Sequence, residues 1–101
     1  MNATNDTFTD YEKRVINALR TVREVSGVDQ IQLGLAAGMG RNRVGQIERL
    51  ERHATLGVLE RLLTAAAKLS TRRTNVRTVS DLLAVAEGKI TVTIEQLAQD
   101  D

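Results

Sequence analysis

The sequence predicts a small all-α domain of five helices, ending in a short C-terminal extension that can take up a single β-strand. Three observations carry this expectation. Apolar residues recur at three- and four-residue steps in successive stretches, the period of a helix with one buried face. Glycines and capping side chains punctuate those stretches, in a chain without proline. A length of 101 residues with 42% apolar side chains suffices for one hydrophobic core and leaves no room for a second.

In chain order, residues 1–8 are polar and expected to fray. Thr9 is an N-cap, because Glu12 three residues on can reach back in a capping box. Tyr11, Val15, Ala18, Leu19, Val22 and Val25 then form one apolar stripe of a helix that Ser26-Gly27 ends. Asp29 caps a short second helix through Ala37, broken by Gly38-Met39-Gly40. A third helix runs from Arg41 to about Leu50. Thr55 opens a fourth, with Leu56, Leu59, Leu62, Leu63, Ala66 and Leu69 as its buried face. Residues 70–78 are a polar loop carrying Arg72, Arg73 and Arg77. Ser80 caps a fifth helix, Asp81 to Glu87, stopped by Gly88. The tail from Lys89 to Ile94 alternates apolar and β-branched polar residues with period two, a strand signal. No partner strand is expected within the chain, so the tail is expected to pair with its symmetric copy in a dimer. Thr93 can equally cap a short terminal helix, Ile94 to Gln99.

Composition removes several function classes. The absence of cysteine excludes disulfides, thiolate metal sites and thiol nucleophiles. A single histidine, His53, removes the zinc motifs that need two and argues against a histidine-based catalytic pair. No long apolar run and no signal-like N-terminus is present, which fits a cytoplasmic chain. Phe8 and Tyr11 are the only aromatics, too few for a ligand cage or a base-stacking sheet. Gly38-x-Gly40 lies between two helices and lacks the spacing of a dinucleotide loop, and no phosphate loop is found. No cofactor, no metal and no enzymatic activity are expected.

The net charge of +1 conceals a segregation. From Arg41 to Arg77 nine Lys/Arg face three acids, a local balance of +6, and the remainder holds five bases and ten acids, or −5. A basic middle between acidic ends can present a positive face to a polyanion.

The spacing of residues 30–49 gives that face a geometry. Two short helices crossing at a steep angle need an inward apolar residue (Leu33), a small one at the crossing (Gly34), and a second inward residue (Ala37). They also need a left-handed turn position (Gly38), a core residue from the turn (Met39), and two inward residues three apart on the second helix (Val44, Ile47). All seven positions are suitably filled. The stretch resembles the helix-turn-helix of the lambda-repressor/Xre-type DNA-binding family. The resemblance spans roughly residues 15–68, with Arg20 and Arg23 on a preceding helix, Ile47-Glu48-Arg49 at the end of the motif, and Thr55-Leu56-x-x-Leu59-x-x-Leu62 as the fourth helix. Three positions depart from the family pattern. Leu50 stands where glycine is common, so the third helix is expected to run on into Glu51-Arg52. Gly40 replaces a Ser or Thr cap, and the loop lacks a proline.

With Val44 and Ile47 turned inward, Arg41, Asn42, Gly45, Gln46 and Arg49 are expected to point outward, with Arg43 at the flank. Such a helix enters the major groove, where arginine pairs with guanine and Asn or Gln with adenine. The expected base readers are Arg41, Asn42 and Gln46. By resemblance Gln30 positions a phosphate, and Arg43, Arg49, Arg52 and His53 lie on the backbone or flank. The mid-helix Gly45 fits either close approach to a groove wall or surface drift.

The domains expected are a flexible N-terminus (1–8), a DNA-binding domain (9–69, with its helix-turn-helix at 30–49), and a loop, fifth helix and dimerisation tail (70–101). One copy reads too few base pairs to specify a site, and a homodimer on half-sites about 34 Å apart solves this. Leu82, Leu83, Val85, Ile90, Val92 and Ile94 are expected to form its contact. The function expected is a repressor on a palindromic operator, its own promoter being one candidate. The alternative is an antitoxin-like protein whose last twenty residues bind a toxin partner and which represses the shared operon.

Overall fold

The computed structural model describes residues 7–95, and all regular structure within them is helical. The helices are α1 (Asp10–Ser26), α2 (Gln30–Ala36), α3 (Arg43–Glu48), α4 (Leu56–Leu69) and α5 (Val79–Ala86). The local signals explain most boundaries. Thr9 accepts the Glu12 amide at 3.0 Å while the Glu12 carboxylate accepts the Thr9 amide at 2.8 Å, the expected capping box. Asp29 caps α2 and Thr55 caps α4 by the one-way bond alone, accepting the amides of Gln32 and Val58. Gly27, Gly38 and Gly88 follow helix ends with φ of 76°, 81° and 77°, the left-handed position that an L side chain resists.

The core gathers one face of every helix, with Leu33, Val44, Ile47, Leu62 and Leu82 wholly or almost wholly buried. α5 lies along α1, and the Tyr11 hydroxyl donates to Glu87 at 2.7 Å, joining the start of one to the end of the other. α2 and α3 cross at Gly34, as the spacing requires. A Cβ at Gly34 would stand 3.0 Å from the Gly40 carbonyl oxygen and 3.5 Å from Val44 Cγ2.

Several expectations are corrected. Phe8, placed in the fraying N-terminus, is buried and stacks on His53 with ring centroids 3.9 Å apart. In α1, Tyr11 is 37% exposed and Ile16 takes its place in the core. Leu56 and Leu69, assigned to the buried face of α4, stand at the two ends of that helix and are 67% and 40% exposed. Thr78, not Ser80, caps α5: its hydroxyl accepts the Asp81 amide, and the Asp81 carboxylate accepts the amides of Arg77 and Thr78.

α3 is shorter than expected at both ends. Arg41 precedes it, and Asn42 occupies the N-cap without a side-chain cap bond. Its C-terminus does not run on into Glu51-Arg52. Leu50 instead adopts φ +60°, and the amides of Leu50 and Glu51 bond back to Ile47 and Gln46. This is the turn that glycine ordinarily makes. Leu50 is half-buried against the core, and that packing offsets a strain of about 1–2 kcal/mol.

The tail also departs from expectation, since it finds a partner inside its own chain. Thr74 and Ile94 form a single antiparallel bridge, with the Asn75 amide donating to Thr93 at 3.1 Å and the Glu95 amide to Arg73 at 2.6 Å. The Asn75 side chain clamps the same segment, donating to the Thr91 carbonyl and accepting the Thr93 amide. Arg77 and Glu95 close it with an ion pair. The alternative terminal helix, Ile94 to Gln99, extends outside the described residues, and the part within them is bridged, not helical.

Candidate nucleic-acid interface

Placement of the candidate reading helix begins with its buried side. Val44 and Ile47 are fully buried, which turns the opposite face of α3 to solvent. The helix end is then fixed by a charged network. Glu48, whose side chain is 2% exposed, accepts two bonds from Arg23, at 2.6 Å from Nε and 2.9 Å from Nη2. A third comes from Gln30 Nε2 at 2.8 Å. Arg23 also donates to the Val28 carbonyl at 3.0 Å. The Glu48 carboxylate raises the Arg23 pKa above its ordinary value, so the cation is secure. One carboxylate thus ties α3 to α1 and α2, and sets the angle at which α3 is presented.

The motif turn is held from the other side. Arg61 of α4 donates from Nη2 to the Ala37 carbonyl at 2.8 Å, satisfying the end of α2 beside Gly38. Neither role was legible as such. Arg23 and Glu48 stand out only through the family resemblance, on the preceding helix and in Ile47-Glu48-Arg49, and Arg61 carries no local signal.

The expected site residues fall into three groups. Arg41 and Asn42 are exposed in the turn entering α3, and Gln46 is half-exposed one turn later, so these three lie together on the outward side. Arg43 is half-buried at the flank, and Arg52 is exposed in the following loop. Arg41, Arg43 and Arg52 show no ion pair within 4.0 Å among the described residues. Gln30 is the first residue of α2, with its amide nitrogen on Glu48 and its amide oxygen beside Gly45.

His53 is exposed and leans on the start of α1. Its Nδ1 lies 3.1 Å from Glu12 Oε2, its Nε2 lies 3.4 Å from Thr7 Oγ1, and its ring stacks on Phe8. Gly45 is buried, contrary to the outward exposure expected of it. The Arg49 and Gln30 side chains cover it, and Arg49 is paired with Glu51. Among the dimerisation residues, Leu82 is fully buried in the chain's own core and cannot face a partner. Leu83, Val85 and Val92 are half-buried, and Ile90 and Ile94 are 37% and 50% exposed.

Among the described residues, no helix is long and apolar enough to cross a membrane, and no cluster of three or more potential metal ligands occurs. In comparison with known proteins, the chain is similar to Control protein C.SmaI from Serratia marcescens. The two are 33% identical over 70 residues, which cover 65% of this chain and 83% of that protein. No family profile matches the chain, and no solved structure matches it.

Proposed function

Because the chain belongs to the helix-turn-helix regulator family that includes Control protein C.SmaI, we propose that it is a sequence-specific repressor acting on double-stranded DNA. It acts as a homodimer on a palindromic operator, and its own promoter is the first candidate. The observation that carries this reading is the exposure of Arg41 and Asn42 at the entrance to a short helix, with Gln46 half-exposed on it. That helix is locked in place by buried Val44 and Ile47 and by the Arg23–Glu48–Gln30 network.

Arginine offers a two-donor fork that matches guanine O6 and N7, and Asn or Gln does the same for adenine N6 and N7. Gln30, Arg43 and Arg52 supply the flanking and phosphate contacts that fix the register of the helix in the groove. His53 is left out of that set, since both of its ring nitrogens face groups of its own chain. The partly exposed side chains of Leu83, Val85, Ile90, Val92 and Ile94 supply the dimer contact.

Fluorescence anisotropy tests the reading, with DNA from immediately upstream of the gene and a scrambled duplex compared across a salt series. Preference for the upstream DNA is expected. Arg41→Ala and Gln46→Ala are each expected to weaken it by about 1–3 kcal/mol without a matching loss on scrambled DNA. Equal binding to both duplexes, with a steep salt slope and no effect of either substitution, would reduce the interaction to phosphate attraction.

A further inference from the structure

This inference rests on the DNA-reading function proposed above and concerns Gly45. Glycine inside a helix costs about 1 kcal/mol relative to alanine, yet this one occupies the middle of a six-residue helix. It is buried by side chains other than its own. A Cβ at this position would stand 3.0 Å from Arg49 Nη1, 3.7 Å from Arg49 Cζ and 3.3 Å from Gln30 Oε1. Arg49 therefore does not extend off the C-terminal end of α3. It folds back by one turn, the direction helical side chains favour, and lies on the outward surface in the space that a side chain at position 45 would fill.

Glu51 fixes it there. Arg49 Nε donates to Oε2 at 2.9 Å and Nη2 donates to Oε1 at 3.3 Å, so the carboxylate holds one edge of the guanidinium. A guanidinium has five N–H donors. Two are taken, and those remaining on Nη1 and Nη2 form the end-on fork that matches guanine O6 and N7.

The carboxylate also discriminates between kinds of target. A phosphate contact needs net positive charge and little orientation, and a glutamate beside the arginine would cancel that charge and repel the phosphate. A guanine edge is uncharged and presents only acceptors, so it needs orientation and tolerates the neutralised pair. We propose that Arg49 is a base-reading residue directed at a guanine, with Gly45 and Glu51 as the positioning residues that aim it.

The experiment uses labelled upstream duplex and a series in which each base pair is changed in turn. It compares the full-length protein with Arg49→Ala, Arg49→Lys, Gly45→Ala and Glu51→Gln. Arg49→Ala is expected to weaken binding to the parent duplex by about tenfold to a hundredfold. It should change little on duplexes altered at one particular G·C pair, where the unsubstituted protein is already weak. Arg49→Lys should not rescue, since an ammonium is a point charge without the planar fork. Gly45→Ala and Glu51→Gln should lose preference at that same base pair. Gly45→Ala should melt no lower than the unsubstituted protein, because alanine favours the helix and the two groups it meets are the side-chain ends of Arg49 and Gln30, not backbone.

Uniform weakening of Arg49→Ala across every duplex, with the salt slope reduced by about one, would make Arg49 a phosphate contact and overturn the proposal. Rescue by lysine would do the same. A base-preference profile of Gly45→Ala and Glu51→Gln identical to the unsubstituted protein would overturn their positioning role. Failure of the DNA-reading function itself is visible separately, as equal binding of unsubstituted protein to parent and scrambled duplexes before any variant is compared.

Discussion

Glu48 shows what one buried charge does for an interface it never touches. Its carboxylate takes three donors from two other helices, so its removal would leave the Arg23 guanidinium with the Val28 carbonyl and only the exposed Glu24 carboxylate, 3.9 Å away. Breaking a buried pair by deleting one partner costs about 3–5 kcal/mol. Glu48→Ala is therefore expected to lower the melting temperature by at least about 12 °C in thermal denaturation, at about 4 °C or more per kcal/mol for a domain of this size. A loss of only a degree or two would show that helix packing alone sets the angle of α3. At Gly34 the constraint is steric: a methyl group would press on the Gly40 backbone oxygen, which cannot swing aside as a side chain can. Gly34→Ala should destabilise the fold, in contrast to Gly45→Ala, where the neighbour is mobile. The same substitution in two helices of one motif thus has opposite expected signs, readable by comparing the two melts.

Among the elements, the ends of the helices carry the testable differences. Thr78→Ala removes the hydroxyl that caps α5 and is expected to cost about 1 kcal/mol, whereas Ser80→Ala should stay within about 0.5 kcal/mol. Urea denaturation of the two variants measures the contrast. The carboxylates at these ends also set the acid response. The Thr9 amide holds the Glu12 carboxyl below its ordinary value, and the Arg77 and Thr78 amides do so for Asp81. The Tyr11 hydroxyl does the same for Glu87 across the α1–α5 contact. A folded pKa below the unfolded one contributes stability that is complete above the unfolded value and lost as pH falls through the folded value. The melting temperature should accordingly be flat from neutrality to about pH 5 and fall progressively below about pH 4. A melt that already weakens between pH 7 and 6 would point to a group other than these carboxylates.

For the whole molecule, the fate of residues 79–95 separates folding from assembly. Leu82 is fully buried, and Leu82→Ala should cost about 2–5 kcal/mol in the monomer itself. Ile90 and Ile94 keep exposed surface, so Ile90→Glu combined with Ile94→Glu should shift sedimentation equilibrium toward monomer while leaving the melt of dilute protein nearly unchanged. A monomeric unsubstituted protein at tens of micromolar, with and without operator, would sink the homodimer. The in-chain bridge between Thr74 and Ile94 bears on this, because it occupies one edge of the tail and leaves a single edge for any second copy.

Features that depend on neighbours a few residues apart are legible in the sequence. The caps at Thr9, Asp29 and Thr55, the left-handed turns at Gly27, Gly38 and Gly88, and the crossing at Gly34 all follow from local hydrogen bonding and sterics. So does the outward placement of Arg41, Asn42 and Gln46, once Val44 and Ile47 are turned inward. Periodicity names a face, however, and not which stretch of that face another helix will cover. Leu56 and Leu69 therefore looked buried and are exposed, while Leu82 looked available and is core. Contacts between residues distant in the chain emerge only in the assembled fold: Arg23 and Gln30 on Glu48, Asn75 on the tail, Phe8 on His53, and Gln30 beside Gly45. Those pairings depend on where whole helices come to rest, and that is fixed by the packing of the complete core.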